Sequence, residues 1–204
     1  MKNLKGEGSR VYLGLVHHPI NNKRGEVVTT SVTNLDIHDI SRSCRTFGVT
    51  NYFLITPLKA QQELLKRILG HWNEDKASVY NPDRSDALNV ARCVSSIDDA
   101  LHSVVETEKK LGNPYQKPFV VVTGANFKQH DGLAEDLKEK LKIDKRPILL
   151  LFGTGWGLTA PVVEGADYRL GPIFGSSFDG YNHLSVRSAV AIYLDRLLGA
   201  SESK

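Results

Sequence analysis

Short apolar runs alternate along the chain with segments in which apolar residues recur every three or four positions. The runs predict buried strands, whereas recurrence at that spacing predicts helices with one buried face. The predicted strands are 11–16, 51–55, 89–95, 119–123, 148–152 and 168–173. The predicted helices are 33–47, 64–72, 96–105, 133–141, 158–165 and 184–198. Such alternation is typical of an α/β fold, with a mostly parallel sheet and helices on both of its faces.

Polar residues and glycines indicate where the first of these helices begins and ends. Thr33 and Asp36 have the spacing of a helix-capping pair, and Gly48 would end the helix that they begin. Residues 20–33 and 73–87 show neither strand nor helix periodicity, so we predict polar loops there.

The 204-residue chain contains 41% hydrophobic and 24% charged residues, which is ordinary for a globular protein. No internal repeat, low-complexity stretch or change of composition divides it, so we predict a single domain over residues 1–204. Its formal net charge of +3 is compatible with a nucleic-acid partner but does not establish one.

The sequence gives no indication of a membrane anchor, a metal site or a disulfide. The first ten residues are polar, and no apolar run approaches the ~20 residues that span a bilayer. The two cysteines, Cys44 and Cys93, match neither a metal-ligand spacing nor a disulfide framework. We therefore expect a soluble cytoplasmic protein that binds no metal.

Two glycine-rich segments follow predicted strands in the last third of the chain. Ligands of parallel sheets bind beyond the carboxyl ends of the strands, so these segments are candidates for a binding site. Gly153, Gly155 and Gly157 alternate, whereas the dinucleotide-binding fingerprint needs GxGxxG, and no phosphate-loop lysine follows. The second segment, 169–180, leads into the last helix, and loops of this kind can bind an adenosine through backbone atoms. For the first segment alone, a plain structural turn is an equally good interpretation.

Three blocks of sequence together resemble the SPOUT superfamily of S-adenosylmethionine-dependent RNA methyltransferases. They are 33–48, 151–158 and 183–192, and the first places Arg42 six residues before Gly48. The likeness covers residues 10–199 and is greatest to small members with a His-x-Pro segment after the first strand. It implies a C-terminal trefoil knot over about 119–199, S-adenosyl-L-methionine as cofactor, and tRNA or rRNA as substrate. It also implies a homodimer, in which first-block residues of one subunit face the cofactor of the other.

The resemblance implies that loops after the last strands hold the cofactor, mainly through backbone atoms. The implied contacts are Thr123, Gly124, Phe152, Gly153, Thr154, Gly155, Trp156, Gly157, Leu170, Gly171, Pro172, Ile173, Tyr181, Asn182, His183, Leu184, Ser185 and Val186. The chain departs from the family at Ser185, where many members have asparagine. It also departs at Asp36, where relatives that methylate ribose usually have asparagine. The second departure favours a base nitrogen over a ribose 2′-hydroxyl as methyl acceptor.

The first block supplies the candidate catalytic residues Arg42, His38 and Asp36. A guanidinium is too basic to remove a proton, but its fork suits a phosphate or a developing negative charge. His38 lies one helical turn before Arg42 and can take a proton near neutral pH, while Asp36 could orient a base. Each also has a structural explanation. Arg42 could pair with Asp39 on the surface, His38 could be a structural histidine, and Asp36 could cap the helix.

Polar residues in loops and on neighbouring helices are candidate RNA contacts, although ordinary solvated segments contain the same residue types. These candidates are His17, Asn22, Lys23, Asn34, Arg45 and Arg84. The sequence therefore predicts an RNA methyltransferase. Two alternatives stay open: a non-catalytic RNA-binding or assembly protein that keeps the cofactor pocket, and an unrelated nucleotide-binding Rossmann enzyme.

Overall fold

The computed structural model describes residues 9–72 and 81–200. Its strands are β1 Val11–Val16, β2 Ile20–Asn21, β3 Val27–Val28, β4 Tyr52–Ile55, β5 Ala91–Val94, β6 Phe119–Thr123, β7 Ile148–Gly153 and β8 Tyr168–Leu170. Its helices are α1 Asn34–Thr46, α2 Lys59–Trp72, α3 Pro82–Leu88, α4 Ile97–Lys110, α5 Ala134–Ile143, α6 Ala160–Glu164 and α7 Val186–Leu198. Strands and helices alternate over most of the chain, as the hydrophobic pattern predicted.

Six strands form one parallel sheet in the order β5-β4-β1-β7-β6-β8. The chain begins at the centre, moves outward through β4 to β5, and then fills the other half of the sheet. Because all six strands run in the same direction, their carboxyl ends share one edge. The predicted α/β fold with a mostly parallel sheet is confirmed.

Successive side chains of the central strand β1 enter two different cores. Leu13 and Leu15 pack into the cluster beneath α1, α2, α3, α5 and α7. Tyr12 and Val16 pack into the opposite cluster, beneath α4 and α6. Burial on both faces explains why the strands are continuous apolar runs rather than alternating ones.

Helix α1 begins and ends where the sequence predicted. The Thr33 hydroxyl oxygen accepts a hydrogen bond from the Asp36 backbone N–H at 3.2 Å, which caps the first turn. After the last turn, Gly48 adopts a φ of +73°, a conformation that side chains with a Cβ rarely adopt. Ile37 and Ile40 are fully buried between these ends, as their spacing predicted.

Two loops predicted from the sequence contain regular structure. Within 20–33, β2 and β3 pair antiparallel, and the Asn22 side chain closes their turn by accepting from the Glu26 backbone N–H at 3.0 Å. Residues 82–88 form α3, which the Asn81 side chain caps, and residues 73–80 of that predicted loop lie outside the described residues. Both elements were missed because strands of two residues and a helix of seven are too short to show periodicity.

Over the described ranges 9–72 and 81–200, we find no helix of the length and hydropathy that a membrane crossing requires.

Candidate functional site

The glycine-rich segments predicted as a binding site meet at one edge of the sheet. Strand β6 lies between β7 and β8, and Thr123, the last residue of β6, is paired with Leu170, the last of β8. One position earlier, Val122 is paired with Leu151, so Gly153 follows close by. The loops that begin at Thr123, Gly153 and Leu170 therefore leave the sheet side by side.

The loop after β7 is closely packed at Gly153 and borders open space at Gly157. A Cβ at Gly153 would lie only 2.8 Å from the backbone nitrogen of Leu158, so only glycine fits where the chain turns back. Gly157 has a φ of +99°, and a Cβ there would meet nothing within 4 Å. The backbone at Gly157 thus faces open space in a conformation typical of glycine.

The segment that follows β1 holds this loop from one side. The Thr154 hydroxyl donates to the carbonyl oxygen of Val16 at 2.9 Å. The Asn21 backbone N–H donates to the carbonyl oxygen of Gly157 at 2.9 Å, and the Trp156 N–H donates to that of Asn21 at 3.1 Å. Hydrogen bonds from both ends of the loop to one short segment fix its backbone before any ligand arrives.

His17 is part of this scaffold, and its side chain is fully buried. Its Nδ1 lies 3.0 Å from the Thr30 hydroxyl, which lies 2.5 Å from that of Thr154. The single hydroxyl proton of Thr154 goes to Val16, so Thr30 donates to Thr154 and accepts from His17. Nδ1 of His17 therefore carries a proton, and the low pKa of the ring keeps it neutral near pH 7. Burial lowers its pKa to about 4, against the opposing attraction of Asp36.

The burial of His17 changes the role that the sequence suggested. A fully buried ring cannot touch RNA in this conformation, so the predicted direct contact has no support in the geometry. Asn22 likewise uses its side chain to close the turn between β2 and β3. Lys23 and Asn34 are exposed, and Arg45 is paired with Asp86 at 2.8 Å.

The loop between β8 and α7 is closed by its own polar groups. Asn182 accepts from the Gly175 backbone N–H at 2.9 Å and donates to the carbonyl oxygen of Ile173 at 2.8 Å. Ser185 caps α7 by accepting from the Ser188 N–H, which gives a structural reason for a hydroxyl at this position. Large side chains around these loops remain exposed: Trp156, Phe174, Phe178, Tyr181 and Leu184.

Asp36 joins the first block of sequence to the third. One carboxylate oxygen accepts from Arg187 Nη1 of α7 at 2.9 Å, and the other accepts from the Thr33 hydroxyl at 2.5 Å. Arg187 Nε also lies 3.5 Å from Asp39, so the Asp39–Arg42 pair considered from the sequence is not formed. Asp36 is buried, and its charge is balanced beside the start of the last helix.

His38 and Arg42 lie on a different side of α1 from Asp36. Arg42 is exposed and makes no hydrogen bond or ion pair with the residues that the structure describes. The pKa of His38 is lowered by burial and by the positive charges of Arg84 and Arg42, with Asp39 opposing. The three predicted catalytic residues therefore divide into two groups. Asp36 lies beside α7, whereas half-buried His38 and exposed Arg42 lie on the side of α1 that is near Arg84.

Two residues of the site, Thr30 and Arg187, were not found from the sequence. The Asp36–Arg187 contact joins positions 151 residues apart, and nothing in local spacing predicts such a pair. Thr30 lies in a segment predicted to be a plain loop, and only the hydrogen bonds to His17 and Thr154 reveal its role.

The arrangement suits the binding of an uncharged group, such as a nucleoside, mainly through backbone atoms. Three adjacent loops, an open backbone at Gly157 and exposed aromatic side chains at Trp156 and Tyr181 can enclose an adenosine with few charged groups. Among residues 9–72 and 81–200 there is no group of three or more His, Cys, Asp or Glu that could hold a metal ion.

Comparisons with known proteins agree with this geometry. A family model described as SAM-dependent RNA methyltransferase matches residues 10–199. The tRNA (guanine-N(1)-)-methyltransferase of Oleidesulfovibrio alaskensis is 43% identical over 192 residues, which are 94% of this chain and 43% of that protein. A protein of Aquifex aeolicus, described only as uncharacterized, is 33% identical over 92% of this chain and 87% of its own length. The chain thus spans less than half the length of the first relative.

A solved structure supports the same fold. The SpoU methyltransferase AviRb from Streptomyces viridochromogenes, in complex with AdoMet, has a TM-score of 0.53 and 20% identity, covering 95% of this chain and 58% of that chain. A likeness at this identity bears on the fold alone, and it agrees with the α/β fold and mostly parallel sheet described above. With the family model matched over almost the whole chain, the protein belongs to the family of S-adenosylmethionine-dependent RNA methyltransferases.

Proposed function

We propose that this chain binds S-adenosylmethionine in the loops after β6, β7 and β8 and methylates a base nitrogen of tRNA. The observation that carries the proposal is the side-by-side exit of these loops at one sheet edge, with their backbone already fixed by the segment after β1. Backbone held in advance binds a cofactor without the entropic cost of ordering the loop. The proposed contacts are those inferred from the sequence: Thr123–Gly124, Phe152–Gly157, Leu170–Ile173 and Tyr181–Val186.

The cofactor supplies an electrophilic methyl group on a positively charged sulfur, so the protein need only position the acceptor and take a proton. Arg42, exposed and free of a carboxylate partner in the described chain, is suited to bind an RNA phosphate beside the acceptor. His38 is neutral near pH 7 because burial and two guanidiniums lower its pKa, so it can accept a proton or a hydrogen bond. Asp36, held by Arg187 and Thr33, fixes α1 against α7.

We propose that the active form is a homodimer in which Arg42 and His38 serve the cofactor loops of the partner copy. Six residues apart on one helix, Asp36 and Arg42 face different sides, so Arg42 is directed away from the α7 contact of its own chain. The exposed aromatic side chains of Phe174, Phe178 and Tyr181 would be covered in such an assembly.

The trefoil knot stays a prediction for residues 119–199, and the contacts of the chain after β8 support it. The chain after β8 passes beside the loop that follows β6, where the Gly171 backbone N–H donates to the carbonyl oxygen of Gly132 at 2.8 Å. Helix α7 then returns to pack against both α1 and α5, and the Tyr193 hydroxyl donates back to the carbonyl oxygen of Gly171 at 2.7 Å.

The choice of tRNA rests on the curated relative, whose name specifies guanine N1 of tRNA. The matched region is less than half of that protein, so the substrate has to be tested on this chain itself. Methyl transfer to separate tRNA and rRNA fractions from a deletion strain, read by mass spectrometry of nucleosides, distinguishes the two substrates. Methylation of rRNA alone would contradict the choice of tRNA.

The proposed sites are tested by calorimetry with S-adenosylmethionine together with transfer of a labelled methyl group to RNA. We expect Arg42→Gln to bind the cofactor as the natural chain does and to lower methyl transfer by about a hundredfold. Lys110→Gln, on the opposite face of the sheet, removes the same charge and should leave both values unchanged.

Absence of cofactor binding at millimolar concentration would contradict the proposal. Unchanged transfer by Arg42→Gln would contradict the catalytic role of Arg42. Binding of both cofactor and RNA without transfer to any RNA fraction would favour the non-catalytic alternative.

A further inference from the structure

A group of cationic and aromatic side chains lies where α1, α2 and α3 meet, away from the cofactor loops. The guanidinium carbon of Arg84 lies over the indole ring of Trp72, 5.1 Å from the ring centroid. The His38 ring meets the same indole edge-on, with 5.9 Å between centroids. Trp72 is partly buried against the core below, so the guanidinium is the outer layer of the stack.

The backbones that carry this stack are fixed relative to one another. The Ser85 hydroxyl donates to the carbonyl oxygen of Trp72 at 2.8 Å, which ties α3 to the end of α2. The Asn81 side chain accepts from the Arg84 backbone N–H at 3.0 Å, which caps α3 directly at the stacked residue. The backbones of Arg84 and Trp72 are thus held in place with the guanidinium over the ring, which reduces the entropic cost of binding a ligand on its outer side.

Among residues 9–72 and 81–200, no carboxylate forms an ion pair with the cations of the stack. In the described part of the chain, neither Arg84 nor Arg42 forms an ion pair, whereas nearby Arg45 and Lys66 are paired with Asp86 and Glu63. The pKa of His38 is lowered by burial and by both guanidiniums, with Asp39 opposing, so both positive charges act on this neutral ring. An anion placed beside the two guanidiniums would be attracted by both.

We propose that Arg84, backed by Trp72 and flanked by His38 and Arg42, is a docking platform for a single-stranded segment of RNA. An unpaired base stacks on the outer face of the guanidinium, and the adjoining phosphates meet the N–H edges of Arg84 and Arg42. Single-stranded RNA is recognised through such stacking on aromatic and guanidinium planes together with contacts to phosphate. The inference rests on the proposed function, because RNA is the substrate there.

The test is fluorescence anisotropy of a short single-stranded RNA oligonucleotide of mixed sequence, titrated with the full chain in the absence of cofactor. Arg84→Gln should weaken binding about tenfold and lower the slope of log K against log salt by about 0.7. Arg84→Lys keeps the charge, so the slope should stay while the affinity falls, because an ammonium has no flat face. Lys109→Gln, an exposed lysine on the opposite face, is the matched control.

We expect Trp72 to contribute to the RNA affinity only by supporting the guanidinium of Arg84. Adding Trp72→Leu to Arg84→Lys should lower the affinity no further, since the guanidinium that the indole supports is already gone. Leucine preserves apolar packing below, and thermal unfolding of each variant checks that the fold is kept.

Equal binding by Arg84→Gln and Lys109→Gln would overturn the proposal, and so would full affinity of Arg84→Lys. A change of sedimentation coefficient in Arg84→Gln would show that Arg84 itself is covered by the partner copy and is not available to stack on a base, which also overturns the proposal. Because the titration needs no cofactor and no chemistry, its outcome is independent of whether the chain binds S-adenosylmethionine or transfers a methyl group.

Discussion

Acidification should destabilise the protein through His17 in particular. In the folded chain burial lowers the pKa of His17 to about 4, whereas the unfolded chain has the ordinary value of 6.5. The unfolded state therefore binds the proton first as the pH falls. The stability due to neutral His17 is complete above pH 6.5 and is lost progressively down to about pH 4. Between about pH 7 and pH 4.5 the loss from this one group amounts to about 2.5 kcal/mol.

The assay is urea unfolding of the natural chain, His17→Asn and His102→Asn at both pH values. Asparagine cannot take the proton but can still donate to Thr30. His17→Asn should lose about 2.5 kcal/mol less than the natural chain on acidification, whatever its stability at neutral pH. His102 is exposed on α4, so His102→Asn should follow the natural chain. The same pH dependence in His17→Asn and the natural chain would refute the assignment of a buried, neutral His17.

Three further predictions concern other contacts. Gly153→Ala should weaken S-adenosylmethionine binding at least about tenfold in calorimetry, because its Cβ would lie 2.8 Å from the Leu158 nitrogen; unchanged affinity would contradict the tight-turn explanation. Arg187→Gln should lower the free energy of unfolding by about 2 kcal/mol in urea, since buried Asp36 loses its cation; a change near zero would contradict that coupling. Glu108→Ala should cost about 3 kcal/mol in the same assay, because it leaves donors of Arg10 and Tyr12 without their buried acceptor, and wild-type stability would contradict this.

Much of the fold could be predicted because its longest elements follow clear periodicities. Strands such as Val11–Val16 and Ile148–Gly153 are buried on both faces and therefore read as apolar runs. The helix Asn34–Thr46 adds a threonine cap and a terminal glycine. The hairpin of Ile20–Asn21 with Val27–Val28 could not be found in this way. Its strands of two residues are too short to show periodicity, and the contacts of Ile20–Asn21 with Gly157 and Leu158 join positions far apart in the sequence.

The candidate site was only partly predictable for a similar reason. Glycine patterns located the loops around Gly153 and Gly171, because backbone freedom at fixed positions is visible in a sequence. Asp36 lies on a different side of α1 from His38 and Arg42, and their separate environments depend on which helices pack on each side. That information comes from tertiary contacts, such as the pair formed by Asp36 and Arg187.

The central claim is that the loops at the carboxyl edge hold a methyl donor whose methyl group reaches RNA. It is tested most directly by incubating the purified chain with labelled S-adenosylmethionine and unmodified RNA from a deletion strain, and measuring label in the RNA. We expect label in a single methylated nucleoside of tRNA, and loss of that label in Arg42→Gln. No label in any RNA fraction, from a chain that binds both cofactor and RNA, would contradict it.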